Sequence, residues 1–298
     1  MNIKQISVIG AGTMGNGIAH CFAQHGYQVT LLDKDAQQLD TALATISANL
    51  QRQVQKDKIQ EDDKIASLGR IKTTTSPLKA FENADLIIEA VSENKAVKKM
   101  VFQEADQIKS KDCILASNTS SISITALGAL TSQPQQVIGM HFMNPVPMMP
   151  LVEIIVGHDT DATVVQQITE LSHAIGKTPL VVQDAPGFVA NRILMPMINE
   201  AIETLLQGIG GVTEIDQIMK LGMGHPMGPL QLADFIGLDV CLAILEVMHQ
   251  ELGKDKYAPS PLLRKLVAAN HLGRKTGIGF YDYRKDPKNP TVAPQLYR

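Results

Sequence analysis

The chain has 298 residues, 44% of them hydrophobic and 19% charged, the profile of a folded globular protein with room for two domains and no long disordered tail. A formal net charge of −3 excludes a broad nucleic-acid surface, so any anion site must be assembled locally from lysines and backbone amides. Three widely spaced cysteines, Cys21, Cys113 and Cys241, form no CxxC pair; they argue against a disulfide framework and against a metal site, and a cytoplasmic, reducing setting is expected.

A strand over residues 3–9 opens the chain, which leaves no room for a signal peptide. It runs into Gly10-Ala11-Gly12-Thr13-Met14-Gly15 and then a helix-like stretch to His25. Such a turn uses one glycine for the bend, a second for close approach to a pyrophosphate, and a third for helix–strand packing. GxGxxG alone is weak, but here its context is right. The next apolar run, 28–32, ends in Asp33, eighteen residues after Gly15. An acid there accepts from the adenosine ribose 2′-OH of NAD and repels the 2′-phosphate of NADP. Its bland alternative is a cap for the following helix. Lys34 is adjacent and could hold that phosphate, so the preference for NAD over NADP rests on Asp33.

The polar stretch from Ala36 to Asp63 is too long for a simple crossover and reads as a projecting helical hairpin. Strand signals continue at 70–74, 84–91, 113–117, 136–142, 151–156 and 179–183, with helical periods at 95–109, 123–130 and 163–175 between them. This alternation predicts an α/β fold, a Rossmann-like, mostly parallel sheet carrying the hairpin insertion, over residues 1–184. Beyond Asp184-Ala-Pro-Gly187 strand signals stop, and an all-α C-terminal domain is expected over 185–298. Its helices are read at 187–207, from Thr213 to a stop at Gly222, as one apolar segment over 230–252, and at 262–269. Asp234, Asp239 and Glu246 make that apolar segment a poor membrane span, and a buried or dimer-interface helix is expected instead.

Ligands of open α/β sheets bind beyond the carboxyl ends of the strands. Four such ends carry Glu93 followed by Lys98, Ser120, His141 with Asn144, and Asp184 followed by Asn191. His141 is the best general base on offer, although a lone histidine is more often structural. Glu153 lies twelve residues on, across a link whose prolines forbid a helix. The two can therefore meet on neighbouring strands, the carboxylate fixing one imidazole nitrogen while the other takes a proton. The bland reading of Glu153 is a strand-exit acid. Ser120 could cap a helix or donate to a substrate hydroxyl. Asn191 falls on the apolar face of its helix, where an amide needs partners, from the sheet backbone or from a substrate in the cleft between the domains.

Together these segments resemble the L-3-hydroxyacyl-CoA dehydrogenase family, most closely its bacterial short-chain 3-hydroxybutyryl-CoA members. The carriers are VIGAGTMGNGIA at the start, ASNTSS at 116–121, GMHFMNPVPMMPLVEI at 139–154, DAPGFVANR at 184–192, HPMGPLQLADFIGLD at 225–239 and GRKTGIGFYDY at 273–283. The resemblance implies a catalytic site of His141 as base, Glu153 as its orienting carboxylate, and Ser120 and Asn191 on the substrate. It assigns Glu93, Lys98, Asn144 and Lys275, with Ser120 and the glycine turn, to the cofactor NAD. The hairpin would hold coenzyme A through Lys56, with Asn49 where the family carries a serine. The helical domain would form a homodimer, and neither nucleic acid nor membrane is a partner. The implied reaction is reversible oxidation of an (S)-3-hydroxyacyl-CoA, as in butanoate or fatty-acid metabolism. The alternative is an NAD-dependent dehydrogenase of a free 3-hydroxy acid or sugar acid on the same fold. A catalytically silent dinucleotide-binding protein would have no need for Ser120, His141, Glu153 and Asn191 together.

Overall fold

A computed structural model describes residues 3–296. The chain divides into two compact units between Ala185 and Pro186. The first unit runs β1 (Gln5–Ile9), α1 (Thr13–Gln24), β2 (Gln28–Leu32), α2 (Ala36–Val54), α3 (Glu61–Gly69), β3 (Ile71–Thr74), α4 (Pro77–Phe81), β4 (Leu86–Glu89) and α5 (Lys95–Ile108). It continues with β5 (Ile114–Ser117), α6 (Ile124–Gly128), β6 (Val137–Phe142), β7 (Leu151–Val156), α7 (Ala162–Ala174) and β8 (Thr178–Gln183).

These strands form one sheet in the order β3-β2-β1-β4-β5-β6-β7-β8. All neighbours are parallel except β6 and β7, which the short 143–150 link returns as an antiparallel pair. The chain leaves β3 and crosses to β4 on the other side of β1, so the strand order reverses there, the place where such sheets bind ligands. The inner strands β4, β5 and β6 are buried at every position, as expected of strands covered by helices on both faces. Phe22 of α1 meets Phe142 of β6 edge-on at 6.3 Å, a geometry that adds to the roughly 1.5–3 kcal/mol from burying each ring. The Ala36–Asp63 hairpin is present but larger than expected. Its first helix ends at Val54 and its second extends to Gly69.

The second unit holds α8 (Ala190–Leu206), α9 (Val212–Met223), α10 (Pro229–Ile236), α11 (Leu238–Leu252) and α12 (Pro261–Ala268), with a small ribbon of β9 (Tyr281–Asp282) and β10 (Thr291–Val292). Several boundaries depart from expectation, the helix read over 187–207 spanning Ala190–Leu206 among them. The helix read to Gly222 ends at Met223, because Gly224, at φ +71°, supplies the left-handed cap. The segment read as one helix over 230–252 is two, broken at Gly237, whose φ of +106° is open only to glycine.

The break leaves Asp234 facing the closing segment. Its buried carboxylate accepts from the amides of Phe280 and Tyr281 at 2.9 Å each and from the Tyr283 hydroxyl at 3.1 Å. Asp216 likewise accepts from the amides of Leu230 and Gln231 and from the Tyr281 hydroxyl. Burial pushes Asp234 up to about 7 and Asp216 above the usual carboxylate range, while their donors pull the other way. No helix among the described residues is long and apolar enough to cross a membrane.

Candidate active site

The three turn glycines meet three different surroundings. A side chain on Gly10, at φ +94°, would press on the carbonyl of Ala90, and one on Gly15 would overlap the carbonyl of Gly10. A side chain on Gly12 would meet no protein atom within 4 Å. The backbone is therefore bare on the side where a pyrophosphate would approach the N-terminus of α1, with Ala11 buried and Thr13 and Met14 in the first turn. Asp33 stands at the end of β2, its Oδ2 accepting from the Ala11 amide at 2.8 Å and its Oδ1 from the Asp35 amide at 3.1 Å. It is Asp35 that caps α2, which disposes of the capping role for Asp33. A cavity of about 650 Å³ opens between this turn and α5; Gly10, Gly12, Asp33, Lys34, Val91 and Met100 line it. Size, a glycine-bare helix terminus and an acid at the second strand all fit the adenine–ribose half of a dinucleotide.

His141 and Glu153 are register partners on β6 and β7. Their side chains meet at 2.8 Å, Nδ1 to Oε2, with the residues only 5% and 3% exposed. A carboxylate only accepts, so Nδ1 carries the proton and Nε2 of a neutral ring is left as an acceptor. Nε2 lies 3.1 Å from Ser120 Oγ. Ser120 does not cap the next helix; Ser123 does. The link between β6 and β7 is pinned by Lys177, whose buried ammonium donates to the carbonyls of Val146 at 2.5 Å and Met149 at 2.8 Å. Asn144 lies on that link, exposed, beside a second cavity of about 310 Å³ that also touches Thr13, Asn16 and Asn49.

Glu93, on the loop after β4, gathers the turn that carries Ser120. Its Oε1 accepts from the amides of Ser120 and Ser121 at 2.9 and 3.0 Å, from Ser121 Oγ at 3.0 Å, and from Thr119 Oγ1 at 2.5 Å. Burial raises the Glu93 carboxyl, but Lys98 and the Thr119 and Ser121 hydroxyls outweigh it and hold the group below the usual range. Lys98 is 1% exposed, its ammonium 2.7 Å from Glu89 and 3.2 Å from Glu93. Lys56 is exposed in the turn after α2, and Asn49 sits half-buried on α2, accepting from Arg52. In the helical unit, Asn191 is buried in the first turn of α8, and Lys275 is exposed and paired with Asp239 at 2.5 Å. No cluster of three metal-ligating side chains occurs among the described residues.

Sequence reasoning passed over Glu89, Ser117 and Lys177. The signal for Glu89 was present: a carboxylate closes the otherwise apolar run Leu86-Ile-Ile-Glu89.

A dinucleotide turn and a buried His–Glu pair at the strand ends define an oxidoreductase of the dehydrogenase class. Residues 5–185 match the NAD-binding domain of 3-hydroxyacyl-CoA dehydrogenase, and residues 187–283 its C-terminal domain. The chain belongs to the 3-hydroxyacyl-CoA dehydrogenase family. It is 51% identical over 289 residues to the 3-hydroxybutyryl-CoA dehydrogenase of Bradyrhizobium diazoefficiens, covering 97% of this chain and 98% of that one. It is 49% identical over 281 residues to the enzyme of that name from Clostridioides difficile, covering 94% of this chain and all of the other. The crystal structure of the (S)-3-hydroxybutyryl-CoA dehydrogenase of Ralstonia eutropha superposes with a TM-score of 0.91 at 48% identity, covering 95% of this chain and all of that one.

Proposed function

We propose that this chain interconverts a short-chain (S)-3-hydroxyacyl-CoA, 3-hydroxybutanoyl-CoA, and its 3-ketoacyl-CoA, with His141 as general base. The observation that carries the reading is the pair at 2.8 Å between His141 Nδ1 and Glu153, which leaves Nε2 basic beside Ser120 Oγ. A nicotinamide dinucleotide held at the glycine turn by Gly10, Gly12 and Asp33 would supply the acceptor for the hydride of C3. His141 Nε2 takes the proton of the 3-hydroxyl, and Glu153 stabilises the imidazolium that results. In reverse the imidazolium returns that proton to the ketone oxygen. Ser120 holds a substrate oxygen beside His141, and Asn144 and Glu93 serve the cofactor side. Replacing His141 with Gln should lower acetoacetyl-CoA turnover by at least about 100-fold while NADH still binds; undiminished kcat would remove His141 from the mechanism.

NAD is the preferred dinucleotide, on the strength of Asp33 beside the Ala11 amide. The hairpin, with Lys56 exposed and Asn49 on the polar cavity, suits a coenzyme A substrate. A kcat/KM higher for free 3-hydroxybutyrate than for its thioester would refute that assignment. Exposed apolar surface on the helical unit favours a homodimer: Ile209, Ile218, Leu221 and Met223 are each more than half exposed, and Ile218 lines an apolar cavity of about 310 Å³ with Met197, Ala201 and Met219. Sedimentation as a monomer at micromolar concentration would overturn it. The three buried, unpaired cysteines accord with a cytoplasmic setting.

A further inference from the structure

Glu89 ends β4 with a fully buried carboxylate that the reaction above does not use. Each of its oxygens is committed. Oε1 accepts from the Val91 amide and from Lys98 Nζ, each at 2.7 Å, and Oε2 accepts from Ser117 Oγ at 2.7 Å. Two routes lead from it to the same place. Ser117 Oγ accepts in turn from the Thr119 amide at 3.1 Å. Lys98 reaches Glu93, which accepts from the amides of Ser120 and Ser121. Both routes close on the turn 119–121, and that turn presents Ser120 Oγ to His141 Nε2. A third tie runs beside them: the Asn118 amide donates to the Glu89 carbonyl, and Asn118 Oδ1 accepts from the amide of Phe142, next to His141.

We infer that Glu89 is a positioning residue for the reaction, holding the Ser120 hydroxyl on His141 through Ser117 on one side and through Lys98 and Glu93 on the other. The physical reason is that the turn has no regular structure of its own, since its amides are spent on Glu93 rather than on a helix or a ladder. Glu93 is itself on an exposed loop, so its place depends on Lys98. Lys98 is buried and cannot follow solvent; Glu89 is the fixed charge that sets where its ammonium stands. Without that charge Lys98 draws Glu93 toward itself and off the turn. Positioning errors of about 0.5–1 Å are felt in the chemical step rather than in binding.

The inference rests on the reading of Ser120, His141 and Glu153 as the reacting site, and the test separates the two. In the full chain, Glu89→Gln keeps size and removes the charge, and Ser117→Ala cuts the other route. Each should lower kcat for NADH-dependent acetoacetyl-CoA reduction by about 10–100-fold with KM changed less than about threefold. The isotope effect on kcat with deuterated NADH should rise in both, since hydride transfer becomes slower relative to product release. In the enzyme without ligands, the Ser120 and Ser121 amides should exchange about tenfold faster or more. The double variant should lose less than the product of the two single losses, as residues on one network do. A folded Glu89→Gln enzyme with kcat within about twofold of wild type and unchanged amide exchange overturns the inference. Should Glu89→Gln fail to fold, Ser117→Ala decides alone by the same readings. His141→Gln is run alongside: full activity there overturns the site reading and this inference together, whereas its loss with normal Glu89→Gln overturns only the inference.

Discussion

Replacing Glu153 by Gln keeps the size and the accepting oxygen opposite His141 Nδ1 and removes only the charge. With Nδ1 and Oε2 2.8 Å apart, the centres of the two charges lie about 4 Å apart once the imidazolium forms. At an effective dielectric of about 20 that separation is worth about 4 kcal/mol. Both side chains are almost wholly buried, so solvent and salt screen the pair little. A neutral amide retains a hydrogen bond worth about 1 kcal/mol, which leaves a net loss of about 2–4 kcal/mol, or a kcat lower by about 30- to 1000-fold. In the direction of 3-hydroxyacyl-CoA oxidation the imidazolium forms only as the proton is taken, so kcat and kcat/KM should fall together. The assay is steady-state reduction of NAD by 3-hydroxybutanoyl-CoA, with NADH affinity measured separately by fluorescence titration and expected unchanged. A kcat within about threefold of wild type, less than ~0.7 kcal/mol, would refute the charge argument.

The glycine turn makes a paired prediction. Gly15→Ala must displace the Gly10 carbonyl and should lose both stability and NADH binding, whereas Gly12→Ala meets open space and should unfold within about 0.5 kcal/mol of wild type while binding NADH at least ~10-fold more weakly; calorimetry and titration of both variants check it, and tight NADH binding by Gly12→Ala would sink the idea. Asp33→Ser removes the acid beside the Ala11 amide and leaves Lys34 in the same cavity, so the ratio of kcat/KM with NAD to that with NADP should fall by about tenfold or more. An unchanged ratio counts against Asp33 as the discriminator. Asp234 gives a pH signature. Its folded carboxyl is raised to about 7 from an ordinary value of 3.8, so the folded protein binds this proton more tightly than the unfolded chain. Its contribution is full below the unfolded pKa and is lost as pH climbs through about 7, and Asp216, also raised, has the same sign. Urea unfolding across that range should therefore fall more steeply with pH in wild type than in Asp234→Asn; parallel pH profiles would show that Asp234 is not responsible.

Much of this protein is legible in local chemistry. Glycines at 10, 12 and 15 after an apolar run, and an acid at the end of the next run, fix a dinucleotide turn because bend, close approach and packing each demand a missing side chain. The prolines of residues 143–150 forbid a helix and let the chain turn back, and the antiparallel pairing of β6 with β7 then sets His141 opposite Glu153. Alternation of strand and helix periods gave the sheet, and the dense polar run after Asp33 gave the hairpin. What the tertiary structure decided is where buried polar groups find their partners. Neither the acid closing the 86–89 run, nor Lys98, nor Ser117 reveals its partner in sequence, yet the side-by-side placement of β4 and β5 turns them into one network. Between 230 and 252 Gly237 is the one sign of two helices rather than one, and apolar periodicity continues through it; the break occurs where Asp234 must face amides 46 and 47 residues away. Periodicity and turn residues act over a few positions, whereas satisfying a buried carboxylate depends on which distant amides the folded chain delivers to it.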